Sequence, residues 1–190
     1  PCAKTTVFER KNYGVTVTVW GPVSPCDTFG AHMVVSLDTE YQYNIQTESN
    51  DILSYQVLVY GRGGEMAELI FHIPDDRIGY RLSLSEIVDE TRKALGIRPA
   101  LLKYKTKRKP GAIRLIAHFA AAEWAALRDR DKLASVLQII RKSPITLGAQ
   151  SVTLKLSNRS ITCGVEVVDT TLIAPAPFRA LGAIGKVLGL

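Results

Sequence analysis

Two carboxylates spaced two residues apart close an apolar run, Val34-Val35-Ser36-Leu37-Asp38-Thr39-Glu40. Along an extended strand, positions i and i+2 share a face, so Asp38 and Glu40 project together. Adjacent carboxylates repel unless a proton or cation lies between them. Mg²⁺ and Mn²⁺ prefer hard oxygen donors and suit such a pair. A third carboxylate belongs to a second apolar run: residues 113–117 read as a buried strand leading into a helix from His118 to Leu127, which carries Glu123. If the two strands are neighbours, Glu123 faces the Asp38/Glu40 pair. Two-metal phosphodiester hydrolysis uses such a cluster, with ions ~3.5–4 Å apart clamping the attacking and leaving oxygens.

These residues need a scaffold, and the hydrophobic pattern supplies one of alternating α/β type. Residues 14–20 alternate as a half-exposed strand in an N-terminal hairpin or arm, and Gly21-Pro22 and Ser24-Pro25 break the chain after it. Residues 33–38, 52–60 and 66–73 read as three strands of an antiparallel meander, with Gly61-Arg62-Gly63-Gly64 as a turn. Ser83 and Glu86 form a capping box that opens a helix ended by Gly96. A further helix is expected over 132–140, a hairpin of 151–157 and 160–168 around Asn158, and a last helix over 178–190. The whole predicts a mixed sheet with helices on its faces. An arm over 1–31 precedes the main domain, 32–190.

The charge pattern adds a candidate partner. The 190 residues carry 24 Lys and Arg against 18 Asp and Glu, a net charge of +6 that is compatible with a polyanion. Five of the seven residues from Lys103 to Lys109 are basic: Lys103, Lys105, Lys107, Arg108 and Lys109, with Tyr104 between the first two. Such a run can follow a phosphate backbone while the aromatic ring stacks on a base. Three scattered cysteines, Cys2, Cys26 and Cys163, argue against a disulfide framework and for a reducing, cytoplasmic or similar compartment. No apolar run approaches the ~18 residues of a membrane span.

Taken in order, these segments resemble the DEDD superfamily of 3′–5′ exonucleases, which includes the proofreading domains of DNA polymerases. Asp38-Thr39-Glu40 matches the first motif. His118, Glu123 and Ala126-Leu127 match the second, and Val168-Asp169-Thr170-Thr171-Leu172 with the Leu-Gly units of 181–189 are similar to the later segments. The resemblance spans 32–190 and implies an RNase H-like fold. It implies two Mg²⁺ or Mn²⁺ ions held by Asp38, Glu40 and Glu123, and hydrolysis of a single-stranded 3′ end, DNA rather than RNA. Thr39, Tyr41 and His118 would lie against the nucleotide, Asp169 would cap the turn after it, Trp124 would pack in the core, and the rest of a polymerase chain would be the partner. The chain departs from the family in two places. Glu123 stands where the family has Asp, and the third motif, with its metal-binding Asp, would lie beyond Leu190. Both departures also fit a fold of this kind that grips nucleic acid or protein without cutting. Another RNase H-like nuclease or an integrase would order its strands differently around the acids.

Overall fold

The computed structural model describes residues 3–21, 28, 30–105, 112–118, 120–133 and 149–172. The helix expected over 178–190, most of that over 132–140, the cysteines Cys2 and Cys26, and the basic residues Lys107, Arg108 and Lys109 lie outside them. Eight strands are described: β1 (Lys4–Glu9), β2 (Gly14–Trp20), β3 (Met33–Asn44), β4 (Ser49–Gly61), β5 (Met66–His72), β6 (Ile113–Ala117), β7 (Gln150–Leu156) and β8 (Arg159–Asp169). The α-helices among the described residues are α1 (Leu84–Ala94) and α2 (Ala120–Ala125).

The strands form one mixed sheet in the order β1-β2-β5-β4-β3-β6-β8-β7. β3, β4 and β5 make the expected antiparallel meander. β6 then joins β3 in parallel, and β8 joins β6 in parallel. The return from β5 to β6 runs through α1, the kind of long crossover that a parallel partner requires. The expected helix at Ser83 is present with both capping-box hydrogen bonds, and Gly96 follows it at φ +67°, where a side chain would be strained. The β7–β8 hairpin turns on Ser157 and Asn158, both at positive φ (46° and 62°). That is the two-residue geometry whose twist matches flanking strands. β2 pairs with β5 along its whole length, so the N-terminal hairpin continues the sheet.

Two expectations are corrected. The first central strand does not end at the carboxylates: β3 continues to Asn44, because residues 49–52 pair with 41–44 and complete the ladder. A bulge between Glu40 and Tyr41, which leaves Leu53 unmatched, marks the place where the sheet becomes a projecting ribbon. The helix after β6 begins at Ala120 instead of His118, and the segment Arg130–Leu133 is a 3-10 turn.

Alternation divides β3 and β4 into two faces. Val35, Leu37 and Thr39 on β3, with Tyr55, Val57 and Val59 on β4, are buried. Ser36, Asp38 and Glu40 project to the exposed side. Tyr55 fixes the helices above the buried face. Its hydroxyl donates to the Ala126 carbonyl at 2.8 Å and accepts from the Leu82 amide at 3.2 Å. It thereby joins the end of α2 to the start of α1 over one fully buried ring. Burial pushes the Tyr55 hydroxyl up to about 12, which keeps it a donor.

Candidate functional site

The parallel pairing of β3 and β6 ends at Ser36 and Ile116, and the two sequence motifs follow it at one end of the sheet. Leu115 and Ile116 of β6 lie opposite Val35 and Ser36 of β3, so each strand runs toward its acidic residues side by side with the other. The strands are neighbours, but Glu123 does not face the Asp38/Glu40 pair as expected: it meets Thr39, whose side chain lies on the opposite face of β3 from both carboxylates. Glu123 sits in the first turn of α2, and Trp124 beside it is almost wholly enclosed, which anchors the helix in the core.

The contact that joins the motifs is made by Thr39. Its hydroxyl donates to Oε2 of Glu123 at 2.6 Å, with both side chains buried. Thr39 stands between Asp38 and Glu40 and faces the opposite way from both, toward the helices. Asp38 and Glu40 are exposed and carry no hydrogen bond or ion pair among the described residues. Burial pushes the Glu123 carboxyl up, the Thr39 hydroxyl pulls it part of the way back, and the negative charges of Asp38 and Glu40 add to the rise. The three carboxylates therefore feel one another without sharing a focus.

A divalent ion fits part of this set. Asp38 and Glu40 offer hard oxygen donors from one face, two residues apart, with no competing partner. Glu123 turns its carboxylate to Thr39, and among the described residues no three His, Cys, Asp or Glu side chains form a metal-holding group.

The other expected residues divide between two places. Tyr41, largely exposed, borders a cleft of about 350 Å³ together with Thr39, Glu123 and Ile52. Two cations that the sequence did not single out, Arg81 and Arg130, line the same cleft. Arg81 is held there by the Ala125 carbonyl at 2.7 Å. Neither arginine belongs to a motif or a basic run, so no local signal marked them. His118 follows β6 at this end of the sheet, with Nδ1 hydrogen-bonded to the Thr170 hydroxyl at 2.9 Å, an arrangement that ties β6 to the end of β8. Asp169 accepts from the amide and the hydroxyl of Thr171, capping the turn after β8. Lys103 and Lys105 are exposed, and Lys103 pairs with Cys163, six residues along β8 from Asp169 and away from the acids.

Cys163 is a free, buried thiol, pushed by burial up to about 11. Among the described residues no helix is long and apolar enough to cross a membrane.

The sequence is similar to a primer-independent DNA polymerase PolB of Escherichia coli, 35% identical over 95 residues. The match takes in 50% of this chain and 10% of that polymerase, so the chain corresponds to a small part of the relative's length. No family model matches the chain. No solved structure matches it. The similarity links half of the chain to a DNA polymerase, and the fold is a mixed α/β sheet.

Proposed function

We propose that this chain is a 3′–5′ exonuclease unit of a DNA polymerase, hydrolysing single-stranded DNA from its 3′ end with Mg²⁺ or Mn²⁺. The observation that carries the reading is the hydrogen bond from Thr39 of β3 to Glu123 of α2, the helix that follows β3's parallel neighbour β6. It links the Asp-Thr-Glu run to a buried acid just beyond the end of the parallel β3–β6 pairing, the end of open α/β sheets where ligands gather. The polymerase similarity supports the same context.

In this reading Asp38 and Glu40 hold the divalent ion. When bound, the ion supplies a nucleophile at neutral pH and offsets charge on the phosphate. Glu123, its carboxyl raised chiefly by burial, holds or moves a proton at Oε1, while Thr39 fixes the other oxygen by donating to Oε2. Tyr41 offers an exposed ring to the terminal base, and Arg130 a charge to the phosphate, in the cleft beside Glu123.

The test is incubation of a 5′-labelled single-stranded oligonucleotide with the chain and Mn²⁺. A ladder that shortens from the 3′ end and disappears with Asp38→Ala bears the reading out. An oligonucleotide that is bound yet stays intact overturns it in favour of a module that grips nucleic acid without cutting.

A further inference from the structure

The end of the sheet remote from the acids carries a groove of about 850 Å³ between the 3-10 turn Pro99–Leu102 and the β7–β8 hairpin. Its floor is built by the segment that begins the basic run. Lys103 bridges Cys163 in antiparallel fashion, and the Tyr104 amide donates to the Thr162 carbonyl at 2.9 Å. The segment thus extends along β8 below the first residue of β6. The Tyr104 ring lies against Gly164, where an added methyl group would stand 3.5 Å from it.

Three cations line this groove: Arg98, Lys103 and Arg159. Among the described residues no carboxylate does. Elsewhere several cations are matched: Arg10 to Glu90, Arg92 to Asp89, Arg114 to Glu166 and Arg128 to Glu86. The three in the groove are exposed and make no ion pair or side-chain hydrogen bond among the described residues. Three uncompensated positive charges around one concave surface create a field that attracts anions. Ser160 adds a hydroxyl to the same lining, and Ser/Thr hydroxyls together with Arg and Lys are the usual partners of phosphate oxygens. After burial, which is the main cause, the charges of Arg62 and Lys105 hold the nearby His32 below the ordinary histidine range.

We propose that this groove is a second nucleic-acid site, holding the sugar–phosphate backbone at the opposite end of the sheet from Asp38 and Glu40. Nucleic acid is the polyanion because the inference rests on the exonuclease reading. The groove follows β8 from Arg159 to Thr162, and seven to ten steps of ~3.3 Å separate it from Asp169 at the acidic end by roughly 23–33 Å. The groove therefore anchors polymer well upstream of the end presented to the carboxylates, and short oligonucleotides do not reach both.

Binding measured in EDTA separates this site from catalysis. Fluorescence anisotropy of a labelled oligonucleotide is followed as salt rises from about 50 to 200 mM. The comparison is between the triple variant Arg98→Gln/Lys103→Gln/Arg159→Gln and a control of equal charge, Lys4→Gln/Lys11→Gln/Arg77→Gln. Loss of three phosphate contacts lowers the magnitude of the log K against log salt slope by about two, at ~0.7 per contact for single strands. The groove variant is expected to show that drop and to bind at least tenfold more weakly at low salt, with the control near the parent. Equal behaviour of the two variants overturns the proposal, and so does equal displacement of the oligonucleotide by poly-glutamate. A chain that never cleaves but keeps this slope difference overturns the exonuclease reading and leaves the groove standing.

Discussion

The Thr39 hydroxyl donates to the Glu123 carboxylate at 2.6 Å across the gap between β3 and α2. The bond is short, buried and made to a carboxylate, the class of hydrogen bond with the largest net effect. Replacing Thr39 by Val keeps the shape and removes the donor. Leaving a buried carboxylate without this partner costs about 1.5–3 kcal/mol, to be read from urea unfolding. The same change raises the Glu123 carboxyl further, because the hydroxyl is what lowers it. If the exonuclease reading holds, Thr39→Val also cuts the cleavage rate more than tenfold. A variant as stable as the parent would show that the bond contributes nothing.

Glu123 sets a pH dependence whose sign follows from its raised pKa. The folded chain holds the Glu123 proton more tightly than the unfolded chain does. Its contribution to stability is complete below the unfolded carboxylate pKa of about 4.3 and is lost as pH rises through the higher folded value. Glu123→Gln keeps an acceptor for Thr39 and removes the ionisation. The expected result is a melting temperature near that of the parent at pH 4 and above it at pH 8. A difference that is constant with pH, or one that favours the parent at pH 8, would remove Glu123 as the titrating group.

Tyr55 joins the two helices through a hydroxyl with partners on both sides. Tyr55→Phe removes no apolar surface, so its effect isolates those two hydrogen bonds. The Leu82 amide and the Ala126 carbonyl lose their partner in a fully buried place, at a cost of about 1–3 kcal/mol. Because Ala126 ends the segment that carries Glu123, the loss is also expected to loosen α2. Amide exchange over residues 120–127 should quicken more than exchange over β4, and uniform acceleration would place the strain elsewhere.

The local features of this fold were legible in the sequence, and the long-range ones only where alternation encoded them. The capping box at Ser83 and Glu86 depends on four consecutive residues and was read directly. The shared face of Asp38 and Glu40 also follows from pattern, whereas the adjacency of their strand to β6 stands in the sequence only as a condition and is supplied by the structure. The full length of β3 does not follow, because its last residues are held by pairing with 49–52 beyond a turn. Thr39 was expected to contact nucleotide. The alternation that sets Asp38 and Glu40 together already required Thr39 to face the helices, but its partner 84 residues away is a tertiary fact. Arg98 and Arg159 stand singly in the sequence, and only the closing of the β7–β8 hairpin beside the turn at Pro99 brings them to one groove with Lys103.

The N-terminal hairpin is tied to α1 by one charged contact. Arg10 donates through Nε and Nη2 to the two carboxylate oxygens of Glu90, at 3.0 and 2.9 Å. Glu90 is buried and Arg10 only partly so, which lessens solvent screening on one side of the pair. Arg10→Met keeps the aliphatic stem and removes the fork. The expected cost is about 1–2 kcal/mol, less than for a fully buried pair. β1 has a sheet partner on one side, so exchange of its amides should rise most. Unchanged protection of β1 would mean that its ladder with β2 holds the hairpin without help.

The exposed pair Asp38 and Glu40 predicts a metal effect that can be measured without any cleavage. Two like charges on one face repel, and both gain when a divalent cation lies between them. An ion that binds the folded chain and not the unfolded one raises stability by RT ln(1 + [L]/Kd), about 2.7 kcal/mol at a concentration of 100 Kd. Mn²⁺ is therefore expected to raise the melting temperature in a saturable way, with Mg²⁺ acting similarly at higher concentration. Asp38→Asn should abolish the rise, since it removes both a ligand charge and the repulsion that the ion relieves. Glu123→Gln should leave most of the rise in place, because Oε2 of Glu123 is engaged by Thr39 and faces away from the pair. A rise lost equally in both variants would mean that Glu123 turns to join the ion when it binds. No rise in the parent chain would remove the metal from the proposed reaction and leave the nucleic-acid contacts to be tested by themselves.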